Sequence, residues 1–259
     1  VNGYIDTHCH LDFDAFAPAV SVWAGCRAAH IRHLIIPSVS SAHWARSCAL
    51  ANSLDGVYFA AGIHPWWMNI DEPLFNEATF HVEIAPYLAD ARCCAIGETG
   101  LDATIAFPMD QQIKMLSWHL ALAHETDKPI ILHSRKTHND VLRLLKPFAG
   151  RLRGVVHGFS GSFDEAMQFY RAGFLLGIGG VVTYPRAAKT RRAVTQLPLE
   201  AMVLETDAPD MPLAGFQGQL NSPLQIPTIA KVIAQLRGDT LESIAQSTTA
   251  NAKKLFKIT

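Results

Sequence analysis

Near its start the chain carries two histidines two residues apart, His8 and His10, with Cys9 between them. On an extended strand that spacing puts both imidazoles on one side and Cys9 on the other. Two imidazoles side by side make a first clamp for a divalent metal of the zinc class. An H-x-H pair alone carries little weight. Four later groups add to it, because Glu98, His133, His157 and Asp207 each end an apolar run of their own. A carboxylate has two oxygens and can bridge metals ~3.5–4 Å apart, and Glu98 lies between the two histidine pairs in chain order. The expected arrangement is His8, His10, Asp207 and Glu98 around one metal and Glu98, His133 and His157 around a second. Imidazoles suit Zn2+, and two carboxylates also admit Mg2+, Mn2+ or Ni2+. The competing reading is six satisfied, buried polar residues.

Other residues are candidates for supporting roles. Glu205 and Asp6 sit one layer deeper than Asp207 and His8. Each reads either as the acceptor of a ligand histidine's other ring hydrogen or as a purely structural hydrogen-bonding group. Arg135, two residues after His133, is placed to stabilise charge on a phosphoryl oxygen, with a surface ion pair as the alternative. His64, in Gly62-Ile63-His64-Pro65, reads equally as a contact to the substrate or leaving group and as a loop cap. Arg186 and Lys189, with Arg191 and Arg192, follow the seventh run, where barrels often bind phosphate; the alternative is a solvated helix face.

Eight apolar runs position these groups: 4–9, 33–37, 57–63, 93–98, 129–133, 154–157, 173–178 and 202–205. Between them lie amphipathic segments, clearest at 110–126, where Ile113, Leu116, Leu120 and Ala123 recur at three- and four-residue steps. The last, 241–256, would complete an outer ring. Alternating strands and helices predict an α/β fold, and eight strands predict a (β/α)8 TIM barrel. At 259 residues the chain matches the roughly 250 of a single barrel domain, spanning 1–259. In such barrels chemistry sits at the C-terminal strand ends, where the candidate residues fall.

Composition narrows the function classes. Apolar residues make up 49% and charged ones 17%, with a formal charge of −1, so disorder is excluded and no overall positive field draws in a polyanion. No run of 18 apolar residues predicts a membrane span, and residues 1–11 read as a strand already carrying chemistry rather than as a leader. The five cysteines, Cys9, Cys26, Cys48, Cys93 and Cys94, form no C-x-x-C pair and read as reduced thiols of a cytoplasmic protein. Cys93 and Cys94 read as core.

The chain resembles the TatD family of metal-dependent hydrolases along essentially its whole length. Four motifs carry the resemblance: Ile5-Asp6-Thr7-His8-Cys9-His10-Leu11-Asp12, Gly97-Glu98-Thr99-Gly100-Leu101-Asp102, Pro129-Ile130-Ile131-Leu132-His133-Ser134-Arg135, and Leu204-Glu205-Thr206-Asp207-Ala208-Pro209. Val156-His157-Gly158-Phe159-Ser160-Gly161, Thr183-Tyr184-Pro185-Arg186 and Asp207-Ala208-Pro209-Asp210-Met211-Pro212 are most similar to its bacterial YjjV-type branch. The resemblance implies an amidohydrolase-like (β/α)8 barrel, divalent metals held by the same six residues, and ester-bond hydrolysis, with deoxyribonucleases among the members. Departures fall where substrate would be held. Trp66 stands where family nucleases often carry a second histidine, Ala103 where an aromatic is common, and Ser222 where a charged residue is usual. Asn139, next to Asp140, stands where an acidic residue is usual.

The expected chemistry is attack by a metal-activated water, with Asp207 as general base, Arg135 on the phosphoryl oxygens and His64 a candidate acid for the leaving group. Substrates would be DNA or a small phosphoester, with no membrane and no obligate protein partner. The alternatives are a C–N or lactone hydrolase on the same kind of barrel and, more remotely, a non-catalytic metal-binding protein.

Overall fold

A computed structural model of the chain describes residues 3–259, so the start of the N-terminal reading, Val1 and Asn2, lies outside the described residues. Short runs of Ile, Val and Leu buried on both faces suit parallel strands covered by helices. The runs become eight strands: β1 (Tyr4–Asp6), β2 (Ile31–Pro37), β3 (Val57–Ala61), β4 (Cys93–Asp102), β5 (Ile130–Arg135), β6 (Gly154–Val156), β7 (Phe174–Ile178) and β8 (Met202–Leu204). They form one sheet in sequence order, each strand parallel to the next.

The sheet closes just past the ends of β1 and β8. Thr7 N–H donates to the Leu204 carbonyl (3.0 Å), Asp207 N–H to His8 (2.8 Å) and His10 N–H to Ala208 (2.8 Å), and Cys9 bridges Ala208. Closure therefore brings His8, His10 and Asp207 together, although about 200 residues separate them.

The helices α1 (Ala19–Ala28), α2 (Ser41–Ser53), α3 (Glu77–Leu88), α4 (Met109–Thr126), α5 (His138–Leu145), α6 (Phe163–Arg171), α7 (Ala188–Gln196), α8 (Ile226–Arg237) and α9 (Leu241–Phe256) follow in order. None is long and apolar enough to cross a membrane among the described residues. One core lies between sheet and helices and includes Trp44, Phe59, Phe80, Phe169 and Phe174. A second takes Ile5, Ile35, Ala60, Cys94, Ile131, Val155 and Val203 from the strands and Leu255, Phe256 and Ile258 from the end of α9 and beyond. Period-two alternation sends these strand residues inward and their neighbours toward the helices. Cys93 and Cys94 are both buried, one in each core.

Helix α4 fixes two strand ends at the open rim. Its buried His119 donates from Nδ1 to the Met115 carbonyl (2.8 Å) and accepts the Ile63 N–H at Nε2 (3.1 Å), which sets the chain entering His64. Gln112 accepts the Asp102 N–H (2.8 Å) and donates to the carbonyls of Asp102 (3.1 Å) and Phe107 (2.9 Å). Both interactions satisfy buried backbone groups that lack ladder partners.

Strand limits differ from expectation in one informative way. β1, β6 and β8 stop before His8, His157 and Glu205, although the N–H groups of His157 and Glu205 still donate to the carbonyls of Leu132 in β5 and Ile178 in β7. β4 instead runs on to Asp102 alongside β5, pairing Gly100 with His133 and Asp102 with Arg135. Glu98 consequently lies inside a strand whose ten residues are all buried, not at its end. Gly100 has φ +151°, and a Cβ there would overlap the His133 carbonyl. Gly100→Ala should cost at least ~2 kcal/mol through strain and overpacking, a drop in Tm of about 4–8 °C for a domain of this size. Gly238→Ala, at φ +70° with open space around it, should cost distinctly less. Equal melting of the two variants would show that the β4–β5 approach is not constrained at Gly100.

Candidate metal centre

Six side chains from five parts of the rim gather around Glu98. Its Oε2 lies 3.2 Å from His8 Nε2 and 3.9 Å from His10 Nε2. Asp207 Oδ1 completes that group, 3.3 Å from His8 and 3.5 Å from His10. The other carboxylate oxygen, Oε1, lies 2.7 Å from His157 Nε2, 3.3 Å from His133 Nδ1 and 3.4 Å from His64 Nε2. The ring nitrogens of His133 and His157 face each other at 3.1 Å. Glu98 is thus divided between two sets of donors, one oxygen to each.

The donors fit a metal on their own chemistry. Three overlapping groups bring ligand atoms within 4.8 Å of one another: His8, His10 and Glu98; His8, His157 and Asp207; His64, Glu98 and His133. His8 Nε2 is buried and aimed at two carboxylate oxygens, yet makes no hydrogen bond, and His10 Nδ1 and His157 Nδ1 are also buried without partners. Unpaired buried nitrogens are costly, and lone pairs converging with carboxylates are what a divalent cation takes.

The chain is similar to known proteins along almost its whole length. The family described as TatD related DNase matches residues 5–257. A protein named as an uncharacterized metal-dependent hydrolase, YjjV of Escherichia coli K12, is 40% identical, with 98% of each chain covered. The crystal structure of the E. coli YjjV, a TatD homologue, superposes with a TM-score of 0.92 at 39% identity over 99% of this chain and 98% of that one. The chain belongs to the TatD family. It is a metal-dependent hydrolase of that family, on a metallo-dependent (β/α)8 barrel. An N-acetyl-D-glucosamine-6-phosphate deacetylase from Mycobacterium smegmatis shares the fold alone, with a TM-score of 0.65 at 13% identity over 100% of this chain and 78% of that one.

Electrostatics distinguish the members of the cluster. Burial pushes the Glu98 carboxyl up, but the His157, His64 and His8 rings outweigh it and hold the group well below the usual carboxylate range. Asp207 behaves alike: burial raises it, and His10 with the other rings brings it below its ordinary value. Burial lowers His157, but Glu98 reverses this and raises it to about 10. Burial takes His8 down to about 4, helped by the His157 ring stacked on it at 3.9 Å, and His64 down to about 3.

The supporting residues fall in several places. Of its two readings Asp6 takes the structural one: it accepts the backbone N–H of His8 (3.1 Å), the Thr206 N–H (3.1 Å) and the Thr206 hydroxyl (2.6 Å), so it secures the barrel seam and not the His8 ring. Glu205 accepts the Gly158 N–H and lies 3.9 Å from His157 Nδ1, so it sets the loop that carries this histidine. Burial raises Glu205 to about 8. His64 accepts the Trp66 N–H at Nδ1 (3.0 Å), so its cap reading holds, and its Nε2 also lies in the cluster, 3.4 Å from Glu98. Burial disfavours the protonated ring, which weighs against it as the acid for a leaving group. Arg135 is exposed at the end of β5, without an ion pair among the described residues. Lys189 pairs with Glu165 (2.8 Å) and Arg186 lies over Tyr184 (5.0 Å), contacts with their own helix layer and loop rather than with the cluster.

Asp102 was missed as a functional residue. Its Oδ2 accepts from His133 Nε2 (3.2 Å) and Trp66 Nε1 (2.7 Å), and its Oδ1 accepts from the backbone and hydroxyl of Thr104 (2.7 and 2.6 Å). Its signal was the Gly-Leu-Asp stretch, hidden because two glycines interrupt the apolar run before it.

With His157 as a ligand, metal uptake would expel the proton that Glu98 holds on it, since ligation needs a neutral ring. With His157 raised to about 10, that proton is present at pH 8 in metal-free protein, and apparent affinity should rise with pH until about 10. Calorimetric titration with zinc at pH 8, in buffers of different ionisation enthalpy, should show release of about one proton or more. Zero release would contradict the placement of His157 as a ligand.

Proposed function

We propose that the protein hydrolyses phosphodiester bonds, in DNA or a small phosphoester, at a pair of divalent metals, with zinc the ion best matched to five imidazoles. The division of Glu98 between two donor sets carries this reading, because a bridging carboxylate is what a two-metal hydrolytic site requires. His8, His10, Asp207 and Glu98 would hold one metal and Glu98, His133 and His157 the other, with His64 beside the second. Such metals supply Lewis-acid stabilisation of phosphoryl oxygens and lower the pKa of water toward neutrality.

The chain's own residues do the rest. Asp207 is ionised and, at 17% side-chain exposure, more open than Glu98 at 3%, so it can meet an incoming water and take its proton. It adopts φ +57°, a region Asn tolerates better than most residues. Arg135 offers a guanidinium that no carboxylate occupies among the described residues, suited to charge growing on the phosphoryl group. His64 offers a neutral ring N–H for hydrogen bonding. All these groups come from one chain, so the reading needs no partner protein. Five free thiols support a cytoplasmic setting.

Asp207→Asn should keep its metal, because the amide oxygen and the left-handed backbone both survive. It should lose at least ~100-fold in kcat on a p-nitrophenyl phosphodiester. Turnover near the wild-type rate would refute the role given to Asp207. A matching panel of amides and lactones reads the substrate class: hydrolysis of those, with phosphodiesters inert, would overturn the phosphodiesterase reading.

Removing metal by dialysis against a chelator should abolish turnover, and added zinc should restore it. Full activity in protein shown to be metal-free by elemental analysis would contradict the scheme.

A further inference from the structure

Trp66 is a bulky aromatic with 56% of its surface exposed at the rim, yet its polar atom points inward. The indole Nε1–H donates to Asp102 Oδ2 at 2.7 Å, and the same oxygen accepts His133 Nε2 at 3.2 Å. Indole is a donor only, so Asp102 must act as the acceptor and His133 must carry its proton on Nε2. That fixes the lone pair on His133 Nδ1, turned toward Glu98 Oε1 and His157 Nε2. Thr104 occupies the other oxygen of Asp102, so Trp66 is what limits the freedom of the oxygen that serves His133.

We infer that Trp66 is a positioning residue for the metal at the His133–His157 side, acting through its indole N–H on Asp102. The inference rests on the two-metal reading above. Outer hydrogen bonds of this kind set ring orientation and basicity, and losing one typically weakens metal binding 10–100-fold. Trp66 makes little packing contact for its size, so its removal should act on the site more than on the fold.

Two substitutions separate the N–H from the ring. Trp66→Phe keeps an aromatic and deletes the donor. Trp66→His keeps a donor at the matching place, since Nε2 of histidine and Nε1 of tryptophan are both two bonds from Cγ within a five-membered ring. Zinc binding to metal-stripped protein is measured by competition with a chromophoric chelator, alongside kcat and KM on a p-nitrophenyl phosphodiester.

In Trp66→Phe, one of two zinc equivalents should weaken at least about tenfold while the other stays unchanged, and kcat should fall with KM constant. Trp66→His should recover most of the affinity and the turnover. Unchanged zinc binding in Trp66→Phe overturns the inference, as does equal weakening of both equivalents. Equal loss in the Phe and His variants assigns the effect to ring bulk and overturns it too. Wild-type protein that takes up only one equivalent sinks the two-metal reading itself, a result visible before any variant is compared.

Discussion

A carboxylate with only 2% of its surface exposed sets the terms for the rest of this rim. Burying an unpaired ion costs several kcal/mol, and Glu98 meets that cost by collecting imidazoles on both of its oxygens. At ~3.3 Å and an effective dielectric of ~20, one full opposite charge is worth roughly 5 kcal/mol. Protons on the rings can supply that charge in metal-free protein, which is why His157 is raised to about 10. A divalent cation on each side of Glu98, as proposed, would supply it better and would leave the rings neutral as ligands must be.

The fold serves this arrangement through a few particular contacts. Closure between β1 and β8 places His8, His10 and Asp207 beside one another, and Asp6 locks that seam by holding His8 and Thr206 through their backbones. On the opposite side Gly100 lets β4 lie against β5 at His133, so that Asp102 reaches the outer nitrogen of His133 while Glu98 reaches the inner one. Helix α4 secures the rim between them, with His119 setting Ile63 and Gln112 setting Asp102. The end of α9 contributes Leu255 and Phe256 to the interior core, which leaves the polar rim as the place where substrate can enter.

Much of this is legible in the sequence, for identifiable reasons. The eight strands show because each is a short apolar run, and the six proposed ligands show because they fall within such runs or just past them. Glu98 was recognisable by type and order, although its strand continues past it where Gly97 and Gly100 disguise the pattern. The two readings of Asp6 could not be separated in the sequence, because spacing tells which face a side chain shares, not whether ring or backbone takes its oxygens. Asp102 shows in the sequence only as the end of a motif and Trp66 only as a departure at a substrate-holding place; the link between them is hidden, since a hydrogen bond from one loop to the end of a neighbouring strand leaves no periodic trace. Lys189 and Arg186 showed their charge in the sequence, but only the fold reveals the partners, Glu165 and Tyr184, beside them.

The central claim is that each oxygen of Glu98 serves a different metal. Anomalous diffraction from zinc-loaded crystals tests it most directly. Two peaks ~3.5–4 Å apart should appear, one bound by His8, His10 and Glu98 Oε2, the other by His133, His157 and Glu98 Oε1. A single peak, or two peaks that do not share Glu98, would contradict the account.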